Sequence, residues 1–332
     1  MSAHSNIAFF IPHMGCENLC SFCNQNVISG KDLAPTFEEV RKVCDVQYKR
    51  MSPNQRKNTQ IAFFGGSFTA INRKLMVGYL DCVSEYVGNG GFFGVRVSTR
   101  PDCIDDEILD ILQSRFVNSI ELGAQSMDDC VLKKNLRGHT SFDTERACSK
   151  ILDRGIELGL QIMVGLPGQS AWSVFETANK IIRIFPKTIR IYPTVVFRGT
   201  LLEKWYNSGQ YRPLGLDEGV DLCSKLLELF NKNNIKVIRL GLHSQKDIEK
   251  EMVAGIYHPS FRELCESRIY LKKLKNILKN CESGLYKILV NGSEISKVVG
   301  HKRSNVLNLR DSGYFLKVVG DDSVAVGDLV LL

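Results

Sequence analysis

Short apolar runs alternate along the chain with longer stretches in which apolar residues recur at helical spacing. The runs at 7–11, 60–64, 94–98, 119–122, 157–164 and 188–194 have strand length, and the stretches at 36–51, 73–87, 105–115, 142–154 and 171–185 carry the period of amphipathic helices. Six strands, each leading into a helix, predict a parallel sheet with right-handed crossovers, an α/β fold. Beyond residue 197 the rhythm changes. Helices at 201–207 and 217–233 lead to a short strand at 236–240, and a basic helix covers 261–280. The chain thus divides into a sheet-forming part (1–197), an extension (198–260) and a small basic α+β segment (261–332). Neither an internal repeat nor a low-complexity segment interrupts it.

Composition adds bounds. The chain has 332 residues, 44% hydrophobic and 24% charged, the balance of an ordinary soluble globular protein. No run reaches the roughly eighteen apolar residues that cross a membrane, and no apolar signal peptide opens the chain. The 43 basic and 36 acidic residues leave a net charge of +7, a mild bias toward polyanionic partners. The 11 cysteines are odd in number, which argues against a disulfide framework and fits a reducing cytoplasm. Eight of them (Cys44, Cys82, Cys103, Cys130, Cys148, Cys223, Cys265 and Cys281) are scattered singly and read as small buried apolar side chains. Nothing in the pattern specifies an oligomeric state.

The other three cysteines are grouped. Cys16, Cys20 and Cys23 stand at C-x₃-C-x₂-C spacing directly after the first strand. Three thiolates so spaced can ligate three irons of a [4Fe–4S] cluster and leave the fourth iron open to a second molecule. A zinc site with His13 as fourth ligand would use the same residues. Spacing leaves both standing.

Further signals lie at the strand ends, where parallel α/β barrels gather their chemistry. The second strand ends in Gly65-Gly66-Ser67-Phe68-Thr69, and paired glycines let a backbone approach a ligand closely. The third ends in Ser98-Thr99-Arg100-Pro101-Asp102, and the fourth in Gly123-Ala124-Gln125-Ser126, followed by Leu136-Arg137-Gly138-His139. The fifth ends in Gln161-Ile162-Met163-Val164-Gly165-Leu166-Pro167-Gly168. With the cysteine triplet, this ordered series resembles the radical S-adenosylmethionine (radical SAM) superfamily, most clearly over residues 7–195. It is similar to the branch that holds the Elongator catalytic subunit and, more distantly, the oxygen-independent coproporphyrinogen oxidases.

The resemblance implies a partial (βα)₆ barrel of TIM type, a cluster loop at 12–30, and a [4Fe–4S] cluster on Cys16, Cys20 and Cys23 with S-adenosylmethionine at the open iron. One electron, from an external donor such as flavodoxin or ferredoxin, would cleave the sulfonium to methionine and a 5′-deoxyadenosyl radical that takes hydrogen from a substrate. The protein's share would be to hold the cofactor and to exclude water and oxygen. By position, Gly65, Gly66 and Ser67 would meet the methionyl amino group, and Gln125 and Gln161 the ribose or its neighbours. Arg137 would meet the carboxylate, a task suited to a forked guanidinium. Phe22, between two ligands, would pack on the adenine, shield the cluster, or fill core. Ser98 and Gln161 stand where the coproporphyrinogen branch has acidic residues, so the cofactor contacts differ here and porphyrin chemistry is disfavoured.

Tyr192, Arg239 and His243 end strands that face the expected cavity and are candidates for its substrate side. Residues 253–332 hold 12 basic and 8 acidic side chains, among them Arg268, Lys272, Lys273, Lys275 and Lys279 on the helix. Lys302 and Arg303 follow Gly300 in a turn that resembles the Gly-x-x-Gly loop of KH RNA-binding modules without its second glycine. Together with the Elongator likeness, this points the expected substrate toward RNA, above all tRNA. A small molecule, tetrapyrrole or peptide is the alternative within the superfamily, and a zinc-stabilised, non-catalytic nucleic-acid-binding protein the alternative outside it. About 80 residues follow the barrel, with no evident acetyl-CoA-binding glycine loop, so the acetyltransferase-like domain of the Elongator subunit and its carboxymethylation are not expected to transfer.

Overall fold

The computed structural model describes residues 5–12, 14–16, 20–24, 33–243 and 246–332. Among them, strands β1 (Ser5–Ile11), β2 (Thr59–Gly65), β3 (Gly94–Thr99), β4 (Val117–Gln125), β5 (Glu157–Val164) and β6 (Thr188–Pro193) alternate with helices. A short β7 (Val195–Phe197) leaves the sheet, and β8 (Lys236–Leu240) returns to it. The order is β1-β2-β3-β4-β5-β6-β8, parallel throughout, curled into a half-barrel. The expected count of six is thus one short: the strand assigned to the extension is the seventh stave, bonded to β6. The helix Leu216–Lys232 carries the chain back to it, burying Val220, Cys223, Leu226, Leu227 and Phe230 in the barrel core.

The helices begin where side chains can satisfy their first N–H groups. Thr36, Asn72, Asp105, Thr140 and Ser170 cap Phe37–Arg50, Arg73–Ser84, Asp106–Gln113, Ser141–Asp153 and Ala171–Ile184, within three residues of the expected bounds. The sequence reading missed a short helix, Asp129–Lys134, and β9 (Met252–Gly255), which pairs antiparallel with β7.

Parallel strands covered on both faces usually read as unbroken apolar runs. These alternate. Val95 and Val97, Ile120 and Leu122, Leu158 and Leu160, and Ile189 and Ile191 point outward into the core shared with the helices. Their neighbours Arg96, Ser98, Glu121, Gln161, Arg190 and Tyr192 face inward and line a cavity of about 1370 Å³. The period-two pattern therefore separates a dry shell from a polar lumen.

Past the barrel, helix Phe261–Leu278 serves two cores. Phe261 and Cys265 belong to the barrel, whereas Tyr270, Leu274 and Leu278 join Ile288, Val290, Val298 and Leu309. β10 (Gly284–Val290) and β11 (Tyr314–Gly320) pair in parallel, and β12 (Val330–Leu331) runs antiparallel to β10. Two short helices, Ile295–Val299 and Ser304–Arg310, link β10 to β11. Lys302 and Arg303 stand exposed in the turn between them, both left-handed at φ 51° and 64°. The basic helix offers fewer open cations than expected, because Arg268 pairs with Asp217 and Asp221 and Lys273 donates to the Gly327 carbonyl. Among the scattered cysteines, Cys44, Cys82, Cys148, Cys223 and Cys265 are buried as expected, Cys103 and Cys281 are half-buried, and Cys130 is exposed on its short helix. Among the described residues no helix is long and apolar enough to cross a membrane.

The buried Asn305 amide ties this lobe together, donating to the carbonyls of Ser267 (2.8 Å), Val298 (3.1 Å) and Lys297 (3.3 Å). Asn305→Ala should cost about 1–3 kcal/mol by stranding buried acceptors. Urea denaturation would measure the loss, and amide exchange should rise across 284–320 while β1–β6 stay protected.

Candidate active site

The cysteine segment is seated by backbone contact. After β1, Gly66 N–H donates to Ile11 O (2.9 Å) and Ser67 N–H to Met14 O (3.0 Å). A Cβ on Gly66 would stand 2.0 Å from Met14 O, one on Gly65 2.4 Å from Ile11 O, and one on Gly15 2.3 Å from Ser67 O. The glycine pair is therefore demanded by the cysteine segment itself, although both glycines also line the cavity. Ser67 is fully buried, bonds Thr99 Oγ1 (2.8 Å) and accepts from Arg100 N–H (3.1 Å), off the cavity wall. Its side chain thus braces the end of β3 beneath the glycine pair.

A second clamp holds the other end of the segment. Ser21 donates through Oγ to Asn135 Oδ1 (2.8 Å), and its N–H meets Asn135 O (3.2 Å). Asn135 in turn donates to Val131 O and Pro167 O. Phe22 packs with Val131, Leu166, Val196, Leu202 and Tyr211, with Cys20 and Cys23 against the same cluster, and it also reaches the cavity. Cys16, Cys20 and Cys23 all line that cavity. His13, the alternative zinc ligand, and residues 17–19 and 25–30 of the expected cluster loop lie outside the described residues.

Arg137 tests whether the group implied by the triplet fits. It is 6% exposed, donates through Nη1 to Cys20 Sγ (3.1 Å) and through Nη2 to Gly123 O (2.7 Å), while its Nε has no partner. No carboxylate pairs with it among the described residues. A buried guanidinium set on a thiol, with a donor to spare, fits a thiolate-held cluster beside an anionic ligand group. No three His, Cys, Asp or Glu side chains among the described residues surround a single-ion site, and ligands to different irons need no such convergence.

The lumen walls carry charge in layers. Gln161 donates to Gln125 Oε1 (3.2 Å), with Gln125 held at φ 64°. Glu121 accepts from Ser98 Oγ (3.4 Å) and stands 2.7 Å from Arg190 Nε, an ionic contact out of line for a hydrogen bond. The Arg190 guanidinium lies 5.1 Å from the Phe64 ring centre and reaches the Tyr192 hydroxyl at 3.4 Å. Below them, Arg96 pairs with Glu157 (2.8 Å) and bonds Gln60 (3.1 Å). Arg239 donates to the carbonyls of Gly241 (2.9 Å) and Leu242 (2.5 Å). Burial, then the Arg190 and Arg262 cations, pull its pKa below the usual value, whereas for Arg190 burial is outweighed by Glu121 and Tyr192 acting together, which raise it. Burial raises the Tyr192 phenol. His243 is exposed at the mouth, and partial burial of its ring with nearby Arg239 and Arg190 depresses its pKa.

The structure thus brings Phe22, Gly65, Gly66, Ser98, Gln125, Arg137, Gln161, Tyr192, Arg239, His243 and the three cysteines to one cavity. Sequence reasoning missed Arg96, Glu121, Glu157 and Arg190. Their signal was available: each is a charged residue in phase with the inward positions of its strand. Ser21 and Asn135 were missed for lack of any local pattern.

His139, beside Arg137 in sequence, is buried with Nε2 3.3 Å from Ala124 O, and burial first, then Arg137, lowers its pKa to about 4. The unfolded chain takes up this proton near pH 6.5, the folded chain only near 4, so the contribution is complete above about pH 6.5 and is lost as pH falls toward 4. Between pH 7 and about 4.5, urea denaturation should show the parent chain losing about 2 kcal/mol more stability than His139→Gln. Parallel pH profiles for the two proteins would contradict the assignment.

Residues 10–181 match the Radical SAM superfamily, and residues 186–271 the Radical_SAM C-terminal domain. An uncharacterized protein of Methanocaldococcus jannaschii is 31% identical over 223 residues, covering 66% of this chain and 65% of that protein. A tRNA uridine(34) acetyltransferase of Dehalococcoides mccartyi is 24% identical over 245 residues, covering 64% of this chain and 53% of that protein. The archaeal Elp3 of Methanocaldococcus infernus, solved without residues 1–46, shares the fold at a TM-score of 0.62 and 20% identity, over 82% of this chain and 64% of that one. The chain therefore spans between about half and two-thirds of the length of these relatives. The superfamily match alone covers half of the chain, and the chain belongs to the radical SAM superfamily of enzymes, which work with a [4Fe–4S] cluster and S-adenosylmethionine.

Proposed function

We propose that this enzyme modifies RNA, most concretely a tRNA, with Cys16, Cys20 and Cys23 as the cluster ligands. The observation that carries the reading is the division of one cavity of about 1370 Å³ between a thiol-and-amide side and a wall of arginines. Its volume exceeds the roughly 300–1,000 Å³ of ordinary small-molecule sites, leaving room for a second ligand beside the cofactor. The relative named as a tRNA uridine(34) acetyltransferase and the exposed cations of the C-terminal turn support the same class of substrate.

In this reading, cluster and S-adenosylmethionine together supply a hydrogen-abstracting radical when bound. Arg137 holds the Cys20 thiolate and meets the cofactor's carboxylate. Ser98, Gln125 and Gln161 offer hydrogen bonds to its polar groups, and the apolar packing around Phe22 keeps water from the cysteines. Tyr192, Arg239 and His243 face the substrate, and Lys302 and Arg303 contact RNA phosphates away from the cavity. An external one-electron donor such as flavodoxin or ferredoxin completes the system.

Anaerobic reconstitution should give a protein whose visible absorbance bleaches with dithionite and which releases 5′-deoxyadenosine. Cys20→Ala should bind no cluster; full iron content in that variant would refute the ligand assignment, and bound zinc without iron would replace the reading altogether. For the substrate, tRNA binding should weaken steeply with salt. Replacing both Lys302 and Arg303 with Gln should reduce affinity and flatten the salt slope by about one to two. Nucleosides from a deletion strain, compared by mass spectrometry with the parent, should lack one modification; identical profiles would remove RNA as the substrate.

A further inference from the structure

We infer that the β6–β8 wall of the cavity is a phosphate subsite, in which Arg190 and Arg239 take one phosphate group of the ligand that lies beside the cofactor. The inference deepens the RNA reading by stating which part of the substrate this wall holds.

Two arginines stand side by side on this wall, an arrangement that folding alone disfavours. Arg190 and Arg239 are register partners on neighbouring strands, and both line the cavity. Like charges at directly opposed positions repel. Glu121 answers one of them, at 2.7 Å from Arg190. Arg239 has no carboxylate at ion-pair distance among the described residues; its two backbone acceptors satisfy N–H groups without cancelling charge. The third cation nearby, Arg262, is already matched by Glu266 at 2.9 Å. One positive charge is thus left over on a partly buried wall, where an unpaired charge is costly unless a ligand supplies the counter-charge.

The donors that remain select the kind of anion. On Arg239, Nε and Nη2 are engaged by Gly241 and Leu242. On Arg190, Nε faces Glu121 and Nη1 reaches Tyr192. The Nε/Nη2 edges that would grip a planar carboxylate are therefore broken up on both side chains. What is left wholly free of these partners is the pair of N–H groups on Arg239 Nη1 and the pair on Arg190 Nη2, donors carried by two strands. That set suits a tetrahedral group with several oxygens. Gln161 is the register partner of Arg190 on β5, so Arg239 lies two strands, or about 10 Å, from Gln161. A nucleotide anchored there presents its body toward the cofactor side.

The test uses the anaerobically reconstituted full chain and three probes: inorganic phosphate, uridine 5′-monophosphate, and an oligoribonucleotide containing uridine. Arg239→Gln should weaken each probe that binds by roughly tenfold or more, with iron content and S-adenosylmethionine affinity unchanged. Arg239→Lys, which keeps the charge, should recover part of the loss. Because Arg239 also braces two carbonyls, Glu121→Gln gives a check of opposite sign: releasing Arg190 from its acid should tighten phosphate binding severalfold. Phosphate and nucleotide binding that depends on Arg239, without binding of the oligonucleotide, would support the subsite and count against the RNA reading. Oligonucleotide binding untouched by Arg239→Gln, or phosphate weakened by Glu121→Gln, would overturn the subsite and leave that reading standing.

Discussion

The active site depends on one seam of backbone against backbone. Ile11, Met14 and Gly15 lie so close to residues 65–67 that Gly15, Gly65 and Gly66 admit no Cβ, and two hydrogen bonds of 2.9 and 3.0 Å stitch the edges together. The seam exists because β1 and β2 pair in register, with Ile11 opposite Gly65. A slip of one residue would bring a bulky side chain to the seam and turn every inward residue of β1 outward. The placement of the cysteine segment and the sheet register are in this sense one constraint. The Ser21–Asn135 clamp adds a second strand's authority, since Asn135 sits on the segment that follows β4. The cysteines are held from both sides by elements far away in sequence.

The same register sets the electrostatics. Once the outward positions are committed to a dry core, the inward ones must face a cavity, and there the chain places charge instead of Val or Ile. Arg96 with Glu157 and Arg190 with Glu121 are both pairs across next-neighbouring strands, largely shielded from water. Breaking such a pair by removing one partner costs several kcal/mol, while the intact pair adds little to stability. Their value lies in fixing side-chain directions: Arg190 is braced by Glu121, Tyr192 and the Phe64 ring, and so presents a defined face to the lumen.

How much of this was legible in the sequence follows from the range of each interaction. Helices and strands were readable because capping and periodicity are local. The bounds at Thr36, Asn72 and Ser170 fall where a hydroxyl or amide can meet the first turn. The cysteine triplet and the motifs at strand ends were readable because their spacing is short and their order matches a known series. The seventh strand was visible as a strand but not as part of the barrel, because its partnership with β6 spans a helix of 17 residues. The bridge from the Ser67 hydroxyl to Thr99 was not legible, because its two ends lie 32 residues apart. The lumen arginines were overlooked for a different reason. Charged residues inside apparent strands look like edge or surface positions until the curl of the sheet closes a cavity over them.

Among the described arginines that line this cavity, two lack an acid, and their positions are informative. Arg96, Arg100 and Arg190 each have an acid within 2.8 Å. Arg137 and Arg239 have none among the described residues, and each is tied instead to backbone carbonyls, Arg137 to a thiol as well. A chain that can pair three inward arginines has the means to pair five, so the two exceptions are not a shortage of acids. Arg137 stands at the cysteines, and Arg239 on a strand at the opposite edge of the half-barrel. Uncompensated charge in a fold is tolerated where a ligand completes the balance, and such local conflicts concentrate at functional sites. The two guanidinia thus stand at separate places on the cavity wall, one beside the cysteines and one on β8, and each leaves a charge for a ligand to balance.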